Sequence, residues 1–466
     1  MFVGRERELF ELNRLYSQDR FQLFILYGRR RVGKTTLLKE FCKDKKSIFF
    51  SAEQSNEKLN LDKFSEIVFH HYGERNLEPF TNWEKALCFI NDRQTDEPLV
   101  LVFDEFPYIA NITPALLSIL QHLIDHSLKD GKLFLILCGS YMGFMEKEVL
   151  GAKSPLFGRR TGQLHMKPFD YLTSAQMLDG FSDEEKLMIY GAVGGTALYL
   201  EQIQNDHTLE ENIKTIFLKS TGYLYEEPLL LLRQEVQEPG VYCAIIEAIA
   251  GGASKSNEIS LKTGEEASKC LKYMGTLREL GILERETPFG EKESSRKTIH
   301  TISDFMFRFW YRYVSSNKTL LETDAQDIVW KRRIEPDFSN YMGLVFERVC
   351  RDYLLRKNSK GELPLLFTKI GRWWGTNPRT RREEEIDLVA QDGQDYLMCE
   401  CKWRNQILDY SVLETLKERA DLVEKRRRQT WYVLFSKSGF SDSLQTEAEI
   451  NQNLILVTLR DIMNAM

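Results

Sequence analysis

Three short, nearly unbroken apolar runs stand out in the first third of the chain: residues 21–27 (FQLFILY), 98–103 (PLVLVF) and 133–138 (LFLILC). Continuous apolar runs of this length mark strands buried on both faces of a parallel sheet. Segments of mixed polarity separate them, and two of these, Thr35 to Lys43 and Thr113 to Ser127, have helical length and period. Strand and helix therefore alternate, which predicts a doubly wound α/β domain over residues 1–165. From 166 to 238 the apolar runs vanish and helical patterns dominate, predicting a helical lid. Residues 239–300 read as three short helices (241–250, 256–262 and 265–280), then Gly281-Ile282-Leu283-Glu284-Arg285 and a polar stretch ending in Lys297-Thr298-Ile299-His300. Three helices plus a hairpin predict a winged helix. The aromatic segment 305–310 predicts a buried helix within a helical connector, 301–335. A last α/β unit, 336–466, carries its own strands at 386–390, 396–403 and 431–435.

Composition narrows the class. Hydrophobic residues make up 42% and charged residues 28% of 466, with only 28 Gly and 12 Pro, which excludes a disordered or fibrous chain. The net charge of −6 supplies no chain-wide positive field, so any nucleic-acid contact has to be local. None of the eight cysteines forms a pair spaced by two residues, as a zinc knuckle or redox motif requires. Neither a signal-peptide apolar run nor a window of ~18 uninterrupted apolar residues occurs. The expectation is a soluble, cytoplasmic protein.

Gly28-Arg29-Arg30-Arg31-Val32-Gly33-Lys34-Thr35 fits G-x-x-x-x-G-K-[ST] between a strand and a helix, the context that a phosphate loop requires. Its backbone N–H groups can wrap phosphate oxygens, Lys34 can reach the β and γ phosphates, and the Thr35 hydroxyl can ligate Mg²⁺. Gly28, Val32, Gly33, Lys34, Thr35 and Thr36 are the expected nucleotide contacts. The second strand ends in Asp104-Glu105: Asp104 is placed to hold Mg²⁺ and Glu105 to polarise the attacking water. After the third strand comes Gly139-Ser140, where Ser140 can sense the γ-phosphate.

Phe2-Val3-Gly4-Arg5-Glu6-Arg7-Glu8-Leu9, YGRRRVGKTTL, VFDEFPY, LCGS and SPLFGRRT together resemble the archaeal-type ATPases of the AAA+/STAND group, over essentially the whole chain. The resemblance implies an ATPase using ATP and Mg²⁺, with Val3 to Arg7, Arg5 included, near the adenine. It also implies that Arg159 or Arg160 acts on the γ-phosphate of this or a neighbouring subunit of a homo-oligomer. A turn after the lid, Gly194-Gly195-Thr196-Ala197-Leu198-Tyr199-Leu200, matches a nucleotide-contacting turn of the group except that Ala197 replaces proline.

In 251–300 nine Lys and Arg face eight Glu. Because phosphate neutralisation supplies most of the affinity for DNA, so even a balance leaves DNA contact and protein packing both open. The resemblance favours DNA.

In the last unit, Glu347 lies in a helical run, Asp387 in Glu385-Ile386-Asp387-Leu388-Val389, and Glu400-Cys401-Lys402 in a strand. Side chains alternate along a strand, so Glu400 and Lys402 share a face, and a turn at Asp392-Gly393 brings Asp387 beside Glu400. Charges inside otherwise apolar strands need a partner or a metal. Asp387 and Glu400 can hold Mg²⁺ while Lys402 positions or activates water. The arrangement is similar to the PD-(D/E)xK nuclease fold that the resembling family often carries, together with Asp304 and Arg308-Phe309-Trp310. Arg372, Trp373, Trp374, Arg379, Arg381 and Arg382 form a basic and aromatic flank suited to phosphates and unpaired bases. Lys425-Arg426-Arg427-Arg428 reads as a solvated helix end. His122 and His126 lack the glutamate of a zinc-protease motif and read as helix-surface residues. The expected protein is thus an ATPase coupled to a nuclease-like domain acting on nucleic acid, DNA before RNA. The alternative is a signalling or scaffold ATPase whose C-terminal domain has lost catalysis.

Overall fold

A computed structural model describes residues 2–75, 77–424 and 426–465. The chain forms two compact units, Met1–Phe169 with Thr196–Leu198, and Asp170–Gly195 with Tyr199–Met466.

The first unit is built on five parallel strands, β1 (Gln22–Tyr27), β2 (Ser47–Ser51), β3 (Val100–Asp104), β4 (Phe134–Gly139) and β5 (Gly162–His165), in the order β2-β3-β4-β1-β5. Strand alternation explains the unbroken apolar runs. Along β1, Leu23 and Ile25 enter one core while Phe24 and Leu26 enter the other, so every position is buried. β4 lies between β1 and β3. Because the strands are parallel, the loops after all three open at one sheet end, where ligands bind in such folds. The helix Lys34–Cys42 starts directly after the β1 loop, and the helix Phe106–Ile112 directly after β3.

In the second unit, the helices Pro239–Ala250, Ser256–Thr263 and Ala267–Glu279 precede an antiparallel hairpin of β6 (Leu283–Glu286) and β7 (Ile299–Ile302). The aromatic segment forms a buried helical run, Phe305–Phe309, in which the Asp304 carboxylate caps the N-terminus by accepting the Phe307 N–H. A helix of 25 residues, Glu335–Ser359, leads to a second sheet of β8 (Lys369–Thr376), β9 (Glu383–Asp392), β10 (Asp395–Lys402), β11 (Gln429–Ser436) and β12 (Leu454–Thr458). Its order is β12-β11-β10-β9-β8, antiparallel from β8 to β10 and parallel from β10 to β12. Met398 pairs with Val389 and Cys399 with Leu388, so the ladder runs out as Asp387 and Glu400 come side by side. The helix Tyr410–Val423 seals this sheet through Leu413, Leu416 and Ala420 against Ile386, Met398 and Leu434.

Candidate functional site

At the end of β1 the backbone makes room for an anion. Gly28 has φ +155°, and a Cβ there would stand 2.3 Å from the carbonyl oxygen of Met166, so no larger residue fits. Gly33, at φ +95°, starts the helix whose N-terminus faces the loop. Lys34 is buried, and its ammonium donates to the carbonyls of Gly28 (2.8 Å) and Arg29 (3.0 Å). Val32 is wholly buried. Thr35 and Thr36 are exposed at the first turn. The Thr35 hydroxyl donates to Asp104 Oδ2 at 2.7 Å. A hydroxyl and a buried carboxylate brought together at the strand ends are hard oxygen donors that fit Mg²⁺.

Glu105 adopts the left-handed region, φ +52°, where a non-glycine residue is strained. Its carboxylate accepts the Ser140 hydroxyl at 2.7 Å and the Ser140 N–H at 3.3 Å. Because β4 separates β1 from β3, Ser140 stands between the loop and Asp104-Glu105. The structure thus brings together Gly28, Gly33, Lys34, Thr35, Asp104, Glu105 and Ser140.

Arg5 sits against the same loop: its guanidinium donates to the carbonyls of Val32 (3.2 Å) and Lys167 (2.7 Å) and stacks 4.2 Å from the Phe169 ring. Val3 lies in the segment leading to the helix Glu6–Tyr16. Arg159 forms a two-pronged pair with Asp125, at 2.8 and 2.6 Å, and would have to leave it to meet a phosphate. Arg160 lies close enough for its charge to act on Tyr27, the last residue of β1. Burial raises the Tyr27 pKa, Glu146 adds to that shift and Arg160 opposes it. Sequence reasoning undervalued the turn at 194–200. Arg29 donates to the Thr196 hydroxyl at 3.3 Å and Leu198 N–H to the Arg31 carbonyl at 3.4 Å, so the turn touches the phosphate loop despite Ala197.

The second cluster lies in the C-terminal sheet. Asp387 and Glu400 are both about 5% exposed or less. Lys402 bridges them, 2.5 Å from Glu400 Oε1 and 3.7 Å from Asp387 Oδ2. Asp387 also accepts the Cys401 N–H at 2.8 Å, and Arg419 reaches Glu400 at 3.5 Å. Glu400 Oε2 is buried with no hydrogen-bond partner among the described residues. An orphaned carboxylate oxygen beside a second buried carboxylate suits a hard divalent cation. Burial, then the charge of Asp387, pushes Glu347 up to about 8 and Glu400 up to about 7. Burial also raises Asp387, with Lys402 opposing. On Lys402 burial works against the charge, but Asp387 and Glu400 outweigh it and the pKa rises. Asp387, Glu400 and Lys402 thus meet in one cluster, and Glu347 lies close enough to feel the charge of Asp387. Among the described residues no group of three or more His, Cys, Asp or Glu is already gathered as a metal site.

Of the flanking residues, Arg372, Trp373 and Trp374 lie on β8, with Arg372 paired to Glu385, while Arg379, Arg381 and Arg382 are exposed in the β8–β9 connection. Arg427 and Arg428 pair with Asp421 and Asp395, and Lys425 lies outside the described residues. The His122 and His126 rings lie 4.6 Å apart on the helix Leu116–His126, tilted by 52° to each other.

Residues 2–203 match the family described as an ATPase domain predominantly from Archaea, and residues 310–420 match a family of archaeal and bacterial proteins of unknown function. The uncharacterized protein MJECL04 of Methanocaldococcus jannaschii is 32% identical over 469 residues, covering 99% of this chain and all of that protein. The uncharacterized ATP-binding protein MJ0423 of the same organism is 54% identical over 46 residues, 10% of this chain and 78% of that one. Among solved structures, the Walker-type ATPase paby2304 of Pyrococcus abyssi superposes with a TM-score of 0.50 at 21% identity, over 67% of this chain and 96% of that one, a likeness of fold. The phosphate loop thus defines a P-loop ATP-binding ATPase domain. The chain belongs to the same family as MJECL04, and its residues 2–203 form an archaeal-type ATPase domain.

Proposed function

We propose that this protein is a Mg²⁺-dependent ATPase whose nucleotide cycle governs a separate, nuclease-like site acting on nucleic acid, DNA before RNA. In the first unit, Lys34 and the loop amides hold the β and γ phosphates, Thr35 and Asp104 hold the cation, and Glu105 orients the water. The hydrogen bond from Ser140 fixes the Glu105 carboxylate, so a γ-phosphate contacting Ser140 would also set the water-activating group. Thr196 and Arg29 link the loop to the turn at 194–200. The domain order supporting the coupling is an ATPase domain to about 165, a helical lid, a winged helix at 239–300, a connector and a PD-(D/E)xK-like domain from 336. The helices 239–279 with the β6–β7 hairpin support the winged-helix assignment.

The observation that carries the nuclease reading is the meeting of Asp387, Glu400 and Lys402 on adjacent strands, with Glu400 Oε2 buried and without a partner. A divalent cation on the two carboxylates would polarise a phosphodiester and its water, and Lys402 would orient that water, with Glu347 buried nearby in support. The Lys402–Glu400 ion pair favours a second reading, in which the domain binds nucleic acid or a protein without cutting. One ammonium lying between both carboxylates, however, also relieves the repulsion that would otherwise part them.

The cysteines are all unbridged and no helix among the described residues is long and apolar enough to cross a membrane, which supports a reducing, cytoplasmic setting. The test is incubation of pure protein with plasmid and single-stranded DNA, with and without ATP and Mg²⁺. Cleavage lost in Asp387→Ala bears out the nuclease reading, and binding without cleavage by wild type selects the second.

A further inference from the structure

The carboxylate cluster opens into a cavity of about 250 Å³ whose walls include Asp387 of β9, Glu347 and Arg348 of the long helix, Arg372 of β8, and Glu284 and Glu286 of the β6–β7 hairpin. The hairpin is far away in sequence and has no covalent reason to be there. Glu284 forms an ion pair with Arg348. Glu286 lies beside Glu284, and the Thr301 hydroxyl meets both carboxylates, at 3.1 Å and 3.3 Å. Arg372 feels the charge of Glu286 as well as that of Glu347 and Glu385.

The loop after β6 is fastened to the same sheet. The Phe289 N–H donates to the Arg372 carbonyl at 2.8 Å, and the Phe289 ring packs with Trp373 onto the C-terminal core. β8 is the edge strand of its sheet, with backbone groups ready to pair. The hairpin therefore closes one wall of the cavity and places two carboxylates on the arginines that border Asp387.

Guanidinium groups recognise carboxylate and phosphate oxygens with the same forked geometry. Any phosphodiester that reaches Asp387 through this cavity must pass Arg348 and Arg372, and so must compete with Glu284 and Glu286. The Nε of Arg372 has no hydrogen-bond partner among the described residues, leaving a donor for an incoming anion.

We propose that Arg348 and Arg372 form the phosphate seat for a nucleic-acid strand, and that the β6–β7 hairpin is an acidic plug occupying this seat until the strand displaces it. The proposal rests on the nucleic-acid reading of the C-terminal site and adds its phosphate contacts and its regulation. It gives the hairpin a role its near-even charge leaves unexplained: Glu284 and Glu286 line the cavity beside Arg285, and their carboxylates compete with the strand for the arginines opposite.

The test is the affinity of the full chain for a fluorescent single-stranded DNA, measured by anisotropy across a salt series. Glu284→Gln with Glu286→Gln keeps shape and removes charge, and should tighten binding about fivefold or more while raising cleavage. Arg348→Ala should weaken binding about tenfold and flatten the salt dependence by one phosphate contact. Arg348→Lys, which keeps the charge and loses the fork, guards against misfolding and should fall between. Hydrogen exchange at Phe289 should quicken when DNA is added. Wild-type affinity in all variants, with DNA leaving Phe289 unchanged, overturns the plug while leaving cleavage through Asp387 standing. No DNA binding by any variant, the Gln pair included, overturns both.

Discussion

Lys34 is buried and Lys402 half-buried, each beside a proposed cation site, but they are neutralised differently. Lys34 rests on two backbone carbonyls and Lys402 on two carboxylates. Carbonyl dipoles leave the charge of Lys34 intact, so with the loop amides the first site presents a positive hollow to a polyanion such as ATP. The ammonium of Lys402 is cancelled by Glu400 and Asp387, and with Glu347 nearby the second site has an excess of acid. Such a site calls for a cation before it can accept a phosphate. The first pocket is shaped by glycine backbone and the second by side-chain ion pairs. The first should therefore depend steeply on single residues, and the second should be adjustable by whatever rearranges its pairs.

The steepest dependence is expected at the phosphate loop. Lys34→Ala should abolish high-affinity ATP binding, and Gly28→Ala should do the same, since its Cβ would meet backbone that cannot step aside. Equilibrium binding of a fluorescent ATP analogue checks both; micromolar binding by either would show that the loop is not the site. Glu105→Gln should retain ATP and lose about 100-fold in turnover, the usual scale for removing a group that activates water. Ser140→Ala should lower turnover less, by freeing the Glu105 carboxylate, with KM for ATP nearly unchanged. Equal turnover in wild type and Glu105→Gln would remove Glu105 from the mechanism.

The arginine pair sharpens the comparison at lower amplitude. Arg160→Ala should slow hydrolysis about tenfold, whereas Arg159→Ala should leave turnover close to wild type and cost at most ~1 kcal/mol through its partly exposed pair with Asp125. If Arg160 serves a neighbouring subunit, sedimentation should show ATP-dependent association. A monomer under all conditions would place any such contact within one chain, and the reverse ranking of the two variants would restore Arg159.

The smallest effect concerns the hairpin. Burial, with Arg278 and Arg285 adding to it, pushes the His300 imidazole down to about 4, and Ser256 Oγ lies 3.2 Å from its Nε2. The unfolded chain takes up this proton near pH 6.5 and the folded chain does not, so stability is complete above about 6.5 and is lost as pH falls toward 4. The loss should be on the order of 1–2 kcal/mol after solvent screening. Denaturant unfolding at pH 7 and pH 5 should show it in wild type and much less of it in His300→Gln; equal slopes in both would contradict it.

The parts legible in the sequence are those set by local pattern. β1, β3 and β4 are central strands buried on both faces, and their apolar runs announced them. β2, β5, β8 and β12 went unannounced, and each is a sheet edge with mixed exposure, so its residues satisfy solvent as well as core. The pairing of Asp387 with Glu400 followed from the short turn between their strands. What could not be read were the long-range meetings: Thr196 with Arg29, 167 positions apart, and Glu284 with Arg348, 64 apart. The second leaves neither a period nor a motif in the sequence. A glutamate on a hairpin looks the same whether it faces water or an arginine.

The central proposal is that two separate sites share one chain, a phosphate loop that hydrolyses ATP and a carboxylate–lysine cluster that would cut nucleic acid with a divalent cation. The most direct measurement follows ATP hydrolysis and DNA or RNA cleavage in one preparation, for wild type and Asp387→Ala, beside Mg²⁺ and Mn²⁺ calorimetry. The account predicts that Asp387→Ala loses cleavage and one cation site while hydrolysing ATP at the wild-type rate. A wild type that cuts no nucleic acid, with no cation site lost in Asp387→Ala, would contradict it.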